Sequence, residues 1–174
     1  MSEYMVEGKS REELRELACI FREIFSLNEM LYFPIVEMLD ILGEVFDDFN
    51  YEIVEDDMFP DNIHADTDIR TGMIRIKESV YDGACVGEGR DRMTIAHEIG
   101  HYFMLCQCGF HLERNFTNKN VPPFCDPEWQ AKCFAGELLV PAHLVGDMTV
   151  EEIAIKCGVS YDAALIQYDH VHKY

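Results

Sequence analysis

The chain has 174 residues, 48% of them hydrophobic, which is enough to form one folded domain over residues 1–174. It carries 33 acidic and 14 basic residues, a formal net charge of −19. That charge disfavours direct binding to nucleic acid or to an anionic membrane. It would steer a partner with basic patches, such as a DNA-binding protein, toward the chain; the alternative is that it serves only solubility.

The beginning of the chain and its cysteines bear on location. "MSEYMVEGKSREEL" has neither a positive n-region nor an apolar h-region, so we expect no secretory signal. No apolar run approaches the ~18 residues of a membrane span. The seven cysteines are odd in number and do not form an even framework, which indicates free thiols and a cytoplasmic location.

Hydrophobic periodicity and capping residues predict the elements in chain order. Ser10 followed by Glu13 has the pattern of a capping box at the start of the first helix. Helices outnumber strands, and the strands precede the central helix, so the predicted class is α+β, mostly helical with a small sheet. The predicted helices are 10–25, 33–43 (from Pro34 to Gly43), 90–105, 127–139, 149–157 and 160–171; the predicted strands are 50–56 and 72–78, with 64–69 as a candidate hairpin arm.

The stretch "AHEIGHYF" (96–103) contains two histidines four residues apart, with a glutamate after the first. On a helix, side chains four apart lie on one face with Cβ atoms about 5–6 Å apart, so His97 and His101 can bind one Zn²⁺. Glu98 projects about 100° around the helix from His97 and can act on a water molecule without being a ligand. This is the mechanical basis of the H-E-x-x-H pattern in metallopeptidases.

The residues around this pattern predict that its helix is buried, because its other faces are nearly all apolar. Burying two imidazoles and a carboxylate costs several kcal/mol unless they are paired or bind a metal. A metal site is therefore favoured over a chance arrangement on a solvated helix. The apolar residues are Met93, Ile95, Ala96, Ile99, Tyr102, Phe103, Met104 and Leu105.

A catalytic zinc site needs a third protein ligand. A metzincin would need a glycine and a histidine where Met104 and Gln107 stand, so that class is excluded. The remaining candidates are Glu113, Glu128 and Glu137.

The apolar stripe of the 127–139 helix distinguishes two of these glutamates. At about 100° per residue, Glu128 falls near the stripe and Glu137 falls on the opposite side. Glu128 is therefore the predicted third ligand, and Glu137 is expected to face solvent. Glu113 lies in a polar stretch predicted to be a loop. The alternative role for Glu128 is only to favour the N-terminus of its helix electrostatically.

Two phrases, "RDRMTIAHEIGHYFML" and "DPEWQAKCFAGELLVP", resemble the ImmA/IrrE family of zinc metallopeptidases. The resemblance implies a gluzincin-like fold, one catalytic zinc ion held by His97, His101 and Glu128, and a catalytic role for Glu98. It also implies that the chain is a bacterial or phage protein that cleaves a helix-turn-helix repressor. Cleavage of the repressor would switch on phage, mobile-element or stress genes. The chain departs from the family at Met93, where Phe is usual, and at Lys132, where Asn or Asp is usual; the second change would weaken a hydrogen bond to a ligand histidine.

In the expected mechanism, Glu98 takes a proton from water and passes it to the leaving amine. A further donor would share the charge of the oxyanion. The sequence leaves four candidates for that donor open: His111, Tyr81, His143 and Tyr161.

The cysteines near the predicted site allow a second hypothesis. Cys106, Cys108, His111 and Cys125 could form another zinc site, although their spacing is irregular and free thiols are the favoured interpretation. A thiolate from this loop could instead occupy the open zinc position and silence the enzyme.

The segment "TVEEIAIKCGVSYDAALIQY" (149–168) has the rhythm of a helix-turn-helix. Its second helix offers Tyr161, Asp162, Gln167 and Asp169 but no Arg or Lys before Lys173, whereas DNA binding requires cations. We therefore expect a helical pair over about 148–172 that packs on the peptidase core. The rival functions are a DNA-binding regulator and a catalytically silent, zinc-bound interaction protein, such as one member of a toxin–antitoxin pair.

Overall fold

The computed structural model describes residues 4–109, 113–114 and 121–172. Its α+β architecture agrees with the predicted class: helices surround a small sheet that comes before the central helix. The helices are α1 (Arg11–Ile24), α2 (Glu37–Val45), α3 (Glu78–Cys85), α4 (Gly89–Tyr102), α5 (Pro127–Leu139), α6 (Ala142–Val145), α7 (Val150–Cys157) and α8 (Tyr161–His172). The strands are β1 (Tyr4–Met5), β2 (Asn50–Val54), β3 (Ala65–Asp68), β4 (Met73–Lys77) and β5 (Glu113–Arg114).

The main sheet has three strands in the order β2-β4-β3. β2 runs parallel to β4, and β3 pairs antiparallel with β4 as the hairpin arm predicted from the sequence. Ile74 and Ile76 of the central strand are fully buried, as expected for a strand with a neighbour on each side. β3 is left as an edge strand, and it lies against α4.

Three helices form the centre of the core. α5 packs against both α1 and α4, and aromatic side chains fill the space between them. Phe21 of α1 makes edge contacts with Phe103 and Phe134, and those two rings stack on each other. Aromatic pairs of this kind add to the stabilisation from buried apolar area.

The capping box predicted at the start of α1 is confirmed. The Ser10 hydroxyl accepts a hydrogen bond from the backbone of Glu13, and the Glu13 carboxylate accepts one from the backbone of Ser10. The second helix begins later than predicted: it starts at Glu37 instead of near Pro34, and it continues through Gly43 to Val45. Gly43 therefore does not end the helix; a Cβ there would meet no atom within 4 Å.

The last residues of the predicted helix at 90–105 are not α-helical. α4 stops at Tyr102, and Phe103–Gln107 form a π-helical turn. Some short elements were also missed, because their few residues show no clear hydrophobic period. They are β1 paired with β5, and helices α3 and α6.

The C-terminal pair α7–α8 is attached to the rest of the molecule by a buried arginine of α4. The Arg92 guanidinium donates to the carbonyls of Gly158 and Phe33, each at 2.8 Å, and lies 3.7 Å from the centre of the Tyr32 ring. Gly158 has a φ of 64°, and a Cβ there would lie 2.3 Å from the Tyr32 ring. The turn between α7 and α8 therefore needs glycine both for its backbone and for this contact.

A search for membrane-spanning helices among the described residues found none of sufficient length and apolarity.

Candidate metal centre

His97 and His101 lie one turn apart on α4, and their Nε2 atoms are 3.1 Å apart. Both rings lie where α4 is covered by its neighbours: the side chain of His97 is 16% exposed and that of His101 is 11% exposed. The prediction that the helix is buried is confirmed, because nearly all the residues from Ile95 to Met104 are buried.

Glu128 comes from the first turn of α5, and its carboxylate bridges the two histidines. One oxygen lies 3.2 Å from His97 Nε2 and the other lies 3.2 Å from His101 Nε2. Asp126 caps the helix by accepting a hydrogen bond from the backbone N–H of Glu128 at 3.0 Å. This cap fixes the position of the first turn and therefore of the carboxylate.

Gly100 allows the two helices to approach closely enough for this arrangement. A Cβ at that position would lie 3.0 Å from the Phe134 ring and 3.4 Å from the carbonyl oxygen of Ala131. A larger residue there would require the Phe134 ring to shift by a few tenths of an ångström, so glycine suits this close contact between α4 and α5.

The spacing of the three side chains fits a metal ion. Two donors that are each about 2.05 Å from a tetrahedral ion lie about 3.3 Å apart, close to the observed 3.1 and 3.2 Å. The ligand atoms of His97, His101 and Glu128 all lie within 4.8 Å of one another. Two imidazoles and a carboxylate are a donor set for a divalent transition metal. The three residues could therefore hold a metal ion.

The electrostatics of the metal-free cluster follow from these contacts. The hydrogen bonds from His101 and His97 hold the pKa of Glu128 well below its usual range. For His101, burial acts to lower the pKa, but the Glu128 hydrogen bond and the Glu98 charge outweigh it and the net shift is upward. The carboxylate is thus ionised over the whole physiological range, as a metal ligand must be.

Glu98 is buried beside this triangle, and it is held by a residue of the sheet. The Thr67 hydroxyl on edge strand β3 lies 2.7 Å from Glu98 Oε2 and donates a hydrogen bond to it. Glu98 retains 7% exposure. Sequence analysis missed Thr67, because the approach of β3 to α4 is a tertiary contact; a polar residue on an edge strand was the only local indication.

Two cavities open on either side of the histidines and Glu98. The larger, about 840 Å³, extends between α4, α5 and α8, and the smaller, about 410 Å³, extends along β3 toward the start of α5. His97 and Glu98 line both cavities, whereas His101 and Glu128 line only the smaller. A groove thus passes over the candidate metal centre, with space on each side of it.

The prediction that Glu137 faces solvent is wrong. Its side chain is 1% exposed and accepts hydrogen bonds from Arg11 at 3.0 Å and from Arg15 at 2.8 Å. Because α1 covers this face of α5 with two arginines, the carboxylate is buried as part of an ion-pair cluster. Glu128 is the more exposed of the two, at 58%, and its carboxyl group still reaches the histidines.

The third candidate ligand, Glu113, lies in β5, opposite Met5 of β1 in the pairing register. It is not part of the cluster formed by the histidines and Glu128.

Three of the four candidate oxyanion donors lie away from both cavities. Tyr81 is in α3, packed against the core; His143 is in α6, with Nε2 3.1 Å from the carbonyl of Asn28; Tyr161 begins α8 and is 52% exposed. His111 lies outside the described residues. The side chains with N–H or O–H donors that do line the cavities include Tyr4, Asn62, His64, Thr67 and Arg90.

The cysteine hypothesis finds no geometric support in the part of the chain that the structure describes. No metal-ligating cluster there includes Cys106, Cys108 or Cys125. The Cys106 thiol lies 3.4 Å from the carbonyl of Ile69, and burial raises the pKa of both Cys106 and Cys108. These thiols are poorly suited to act as thiolates on the metal centre; His111 remains outside the described residues.

One polar atom of the centre lacks a partner among the described residues. His97 Nδ1 is buried and makes no hydrogen bond. Lys132, four residues after Glu128, is exposed at the larger cavity and does not supply one.

Comparisons with known proteins give a fold relationship only. No family model matches the chain, and no curated protein is similar to it. Among solved structures, the chain is similar to a Mycobacterium tuberculosis transcriptional regulator, with a TM-score of 0.60 and 14% sequence identity. The match covers 91% of this chain and 46% of the other, so this chain spans less than half of that protein's length and shares the fold of the matched part.

Proposed function

We propose that the protein is a zinc-dependent endopeptidase of the gluzincin type, related to the ImmA/IrrE family. The observation that carries this proposal is the position of Glu98: a buried carboxylate next to a His97–His101–Glu128 triangle of metal-ligand dimensions, at the meeting point of two cavities. A structural ion-pair cluster would not require a groove, whereas a peptide substrate must pass on both sides of its scissile bond.

In the proposed mechanism, the metal ligands and Glu98 have separate roles. His97, His101 and Glu128 would hold the zinc ion, which supplies a Lewis acid that polarises a carbonyl and lowers the pKa of water. Glu98 takes the proton from the attacking water and delivers it to the leaving amine. The Thr67 hydroxyl, 2.7 Å from Glu98 Oε2, fixes the orientation of that carboxylate.

The proposed substrate is a protein, specifically a DNA-binding repressor whose cleavage switches on phage, mobile-element or stress genes. The resemblance in "AHEIGHYF" and "DPEWQAKCFAGELLVP" supports this part of the proposal. The net charge of −19 supports it independently, because it attracts a basic partner. The proposal places the reaction in the cytoplasm, where such repressors act.

A second candidate function is transcriptional regulation without cleavage. It is favoured by the likeness in fold to a transcriptional regulator and by the α7–α8 pair, joined through a left-handed Gly158. DNA reading by α8 is disfavoured, because residues 161–172 contain no Lys or Arg. The form worth testing is therefore a zinc-bound protein that holds its partner without cutting it.

The deciding experiment incubates the wild-type and Glu98→Gln proteins, both zinc-loaded, with the DNA-binding protein encoded beside the gene. We expect wild type to cleave it and Glu98→Gln to lose at least about 100-fold in rate while keeping one zinc ion per chain by metal analysis. Equal cleavage by both proteins would refute the role of Glu98. Binding without cleavage by wild type would favour the silent interaction protein, and a salt-dependent gel shift on duplex DNA would favour the regulator.

A further inference from the structure

The larger cavity next to Glu98 has a charge opposite to that of the protein as a whole. Three of the chain's 14 Lys and Arg residues line it, against one of its 33 Asp and Glu residues, and that one is Glu98 itself. His64 also lines this cavity, beside Arg90. The smaller cavity, by contrast, is lined by Asp66, Glu98 and Glu128, and by no Lys or Arg among the described residues. Of these carboxylates, Asp66 is already paired with Arg75.

The cations of the larger cavity differ in whether they are already paired. Arg11 is engaged by Glu137 and by the amide oxygen of Gln167, at 3.0 and 2.9 Å. Lys132 is exposed and has no hydrogen-bond or ion-pair partner in the described part of the chain.

Arg90 donates one N–H toward His64 Nε2 at 2.9 Å and has no carboxylate partner among residues 4–109, 113–114 and 121–172. Lys132 and Arg90 are therefore available to a ligand.

We propose that this cavity binds an acidic side chain of the substrate, next to the scissile bond, through Lys132 and Arg90. The inference rests on the proposed peptidase function and adds a substrate preference to it. A carboxylate that enters the groove meets unpaired cations in the larger cavity but no Lys or Arg among the described residues of the smaller one, so the charge pattern also favours one direction for the peptide. An Asp or Glu side chain, unlike Asn or Gln, offers the charged acceptor that a guanidinium and an ammonium bind most strongly.

The arrangement separates two effects of charge. The net charge of −19 acts at long range and attracts a basic protein, whereas the cavity acts at contact distance on one residue of it. The proposed substrate is thus a basic protein with an acidic residue at its cleavage site. A small acidic peptide has no basic surface, and the net charge of the chain repels it at long range. Its binding is therefore a stringent test of the contact between the acidic residue and the cavity.

The chain carries its own reporter for this test. Trp129 is the only tryptophan, and it lines the larger cavity beside Lys132. Its fluorescence responds to a ligand in the cavity whether or not any bond is cut. Binding can therefore be measured on the full-length, zinc-loaded Glu98→Gln protein, independently of activity.

The experiment titrates that protein at 0.15 M salt with acetylated, amidated octapeptides of alanine and leucine, each with one Glu, Gln or Lys at successive positions. We expect the Glu peptide at one position to bind about 10-fold more tightly than its Gln counterpart. Adding Lys132→Glu or Arg90→Glu should abolish that preference. The matched control is Lys156→Glu, which changes the net charge equally at a residue of α7 that pairs with Glu152; it should keep the preference.

The proposal is overturned if no peptide binds, if Glu and Gln peptides bind equally at every position, or if the preference survives in the Lys132→Glu, Arg90→Glu double variant. A free-carboxylate Gln peptide that binds more tightly than the amidated Glu peptides would also overturn it, because the cavity would then recognise a chain end. If the Glu preference appears as expected but wild type cleaves none of the bound peptides and not the neighbouring repressor, the acidic-residue site stands and the peptidase function fails.

Discussion

The two ends of α5 use the same residue type for opposite purposes. At its first turn, Glu128 is 58% exposed and directs its carboxylate to two histidines. In its last turns, Glu137 is 1% exposed and is enclosed by two arginines of α1. The partners explain the difference: two arginines of α1 hold Glu137 in an ion-pair cluster, whereas the two histidines and Glu128 form a cluster that could hold a metal ion.

The largest effect is expected from removing the carboxylate of Glu128, in the first turn of α5. Glu128→Ala should reduce zinc affinity by more than about 100-fold, since it removes one of the three proposed ligands. The metal-free protein should lose no more than about 1 kcal/mol of stability, because the side chain is more than half exposed. Competition with a chromophoric chelator and urea unfolding in EDTA would measure the two quantities. Unchanged zinc affinity would remove Glu128 from the site.

Removing the carboxylate of Glu137, in the last turns of α5, should give the reverse result: a loss of stability with zinc binding unchanged. Glu137→Ala leaves Arg11 and Arg15 without their shared carboxylate and should cost about 2–3 kcal/mol, less than a fully buried pair because both arginines keep some access to water. Zinc stoichiometry should stay at one. Lys156→Ala, which removes an exposed pair with Glu152 and leaves the capping box of that helix intact, is the control and should cost less than about 1 kcal/mol. Equal losses in the two variants would mean that burial of Glu137 contributes nothing.

A smaller effect is expected between the two ends, at Lys132. In the proposed ImmA/IrrE relationship this position usually holds Asn or Asp, and here His97 Nδ1 lacks a partner in the described structure. Lys132→Asn should restore a hydrogen bond to that nitrogen and raise zinc affinity by up to about 10-fold. Lys132→Ala removes the same charge without supplying an amide and should leave affinity unchanged. If both variants gain equally, charge alone is responsible.

The smallest effect is on the pH dependence of stability. It involves Cys133, which lies one turn before Glu137 in α5. Burial raises the pKa of Cys133 and of Cys157 from 9.0 to about 11 in the folded protein. As the pH rises, the two thiols therefore lose their protons first in the unfolded chain. Their contribution to the stability of the folded protein is fully present below about pH 9 and decreases from about pH 9 toward 11. Urea unfolding of reduced protein at pH 8, 9 and 10 should show this slope.

The double variant Cys133→Ala, Cys157→Ala should have a shallower slope than wild type. Some slope should remain, because hydrogen bonding to Asp40 raises the pKa of Tyr51 to about 12 and acts in the same direction. Cys85→Ala, at an exposed thiol, is the control and should match wild type. A double variant with the wild-type slope would show that these two thiols are not the cause.

The candidate site could be predicted from the sequence to the extent that its geometry is local. His97, Glu98 and His101 lie on one helix, so their mutual positions follow from helical spacing alone. The amphipathic argument selected Glu128, whose carboxylate does lie against the two histidines. It placed Glu137 in solvent, because the arginines that bury it lie 126 and 122 residues earlier in the chain.

The same limit applies to the fold and the cavities. Long periodic helices and the strands of the main sheet were predicted, whereas the short elements β1, β5, α3 and α6 were missed. The contact of Thr67 with Glu98 spans 31 residues, and the larger cavity combines side chains from α1, α4, α5 and α8. No window of sequence contains either arrangement, because tertiary packing creates it.

The hydrogen bonds of Arg92 have a consequence for the order of synthesis. This arginine precedes the histidines on α4, yet two of its acceptors are the carbonyls of Cys157 and Gly158. A nascent chain that already contains His97, Glu98 and Glu128 therefore still lacks two of the acceptors that hold Arg92 in place. The proposed metal centre gains this support for α4 only after the turn before α8 has been synthesised.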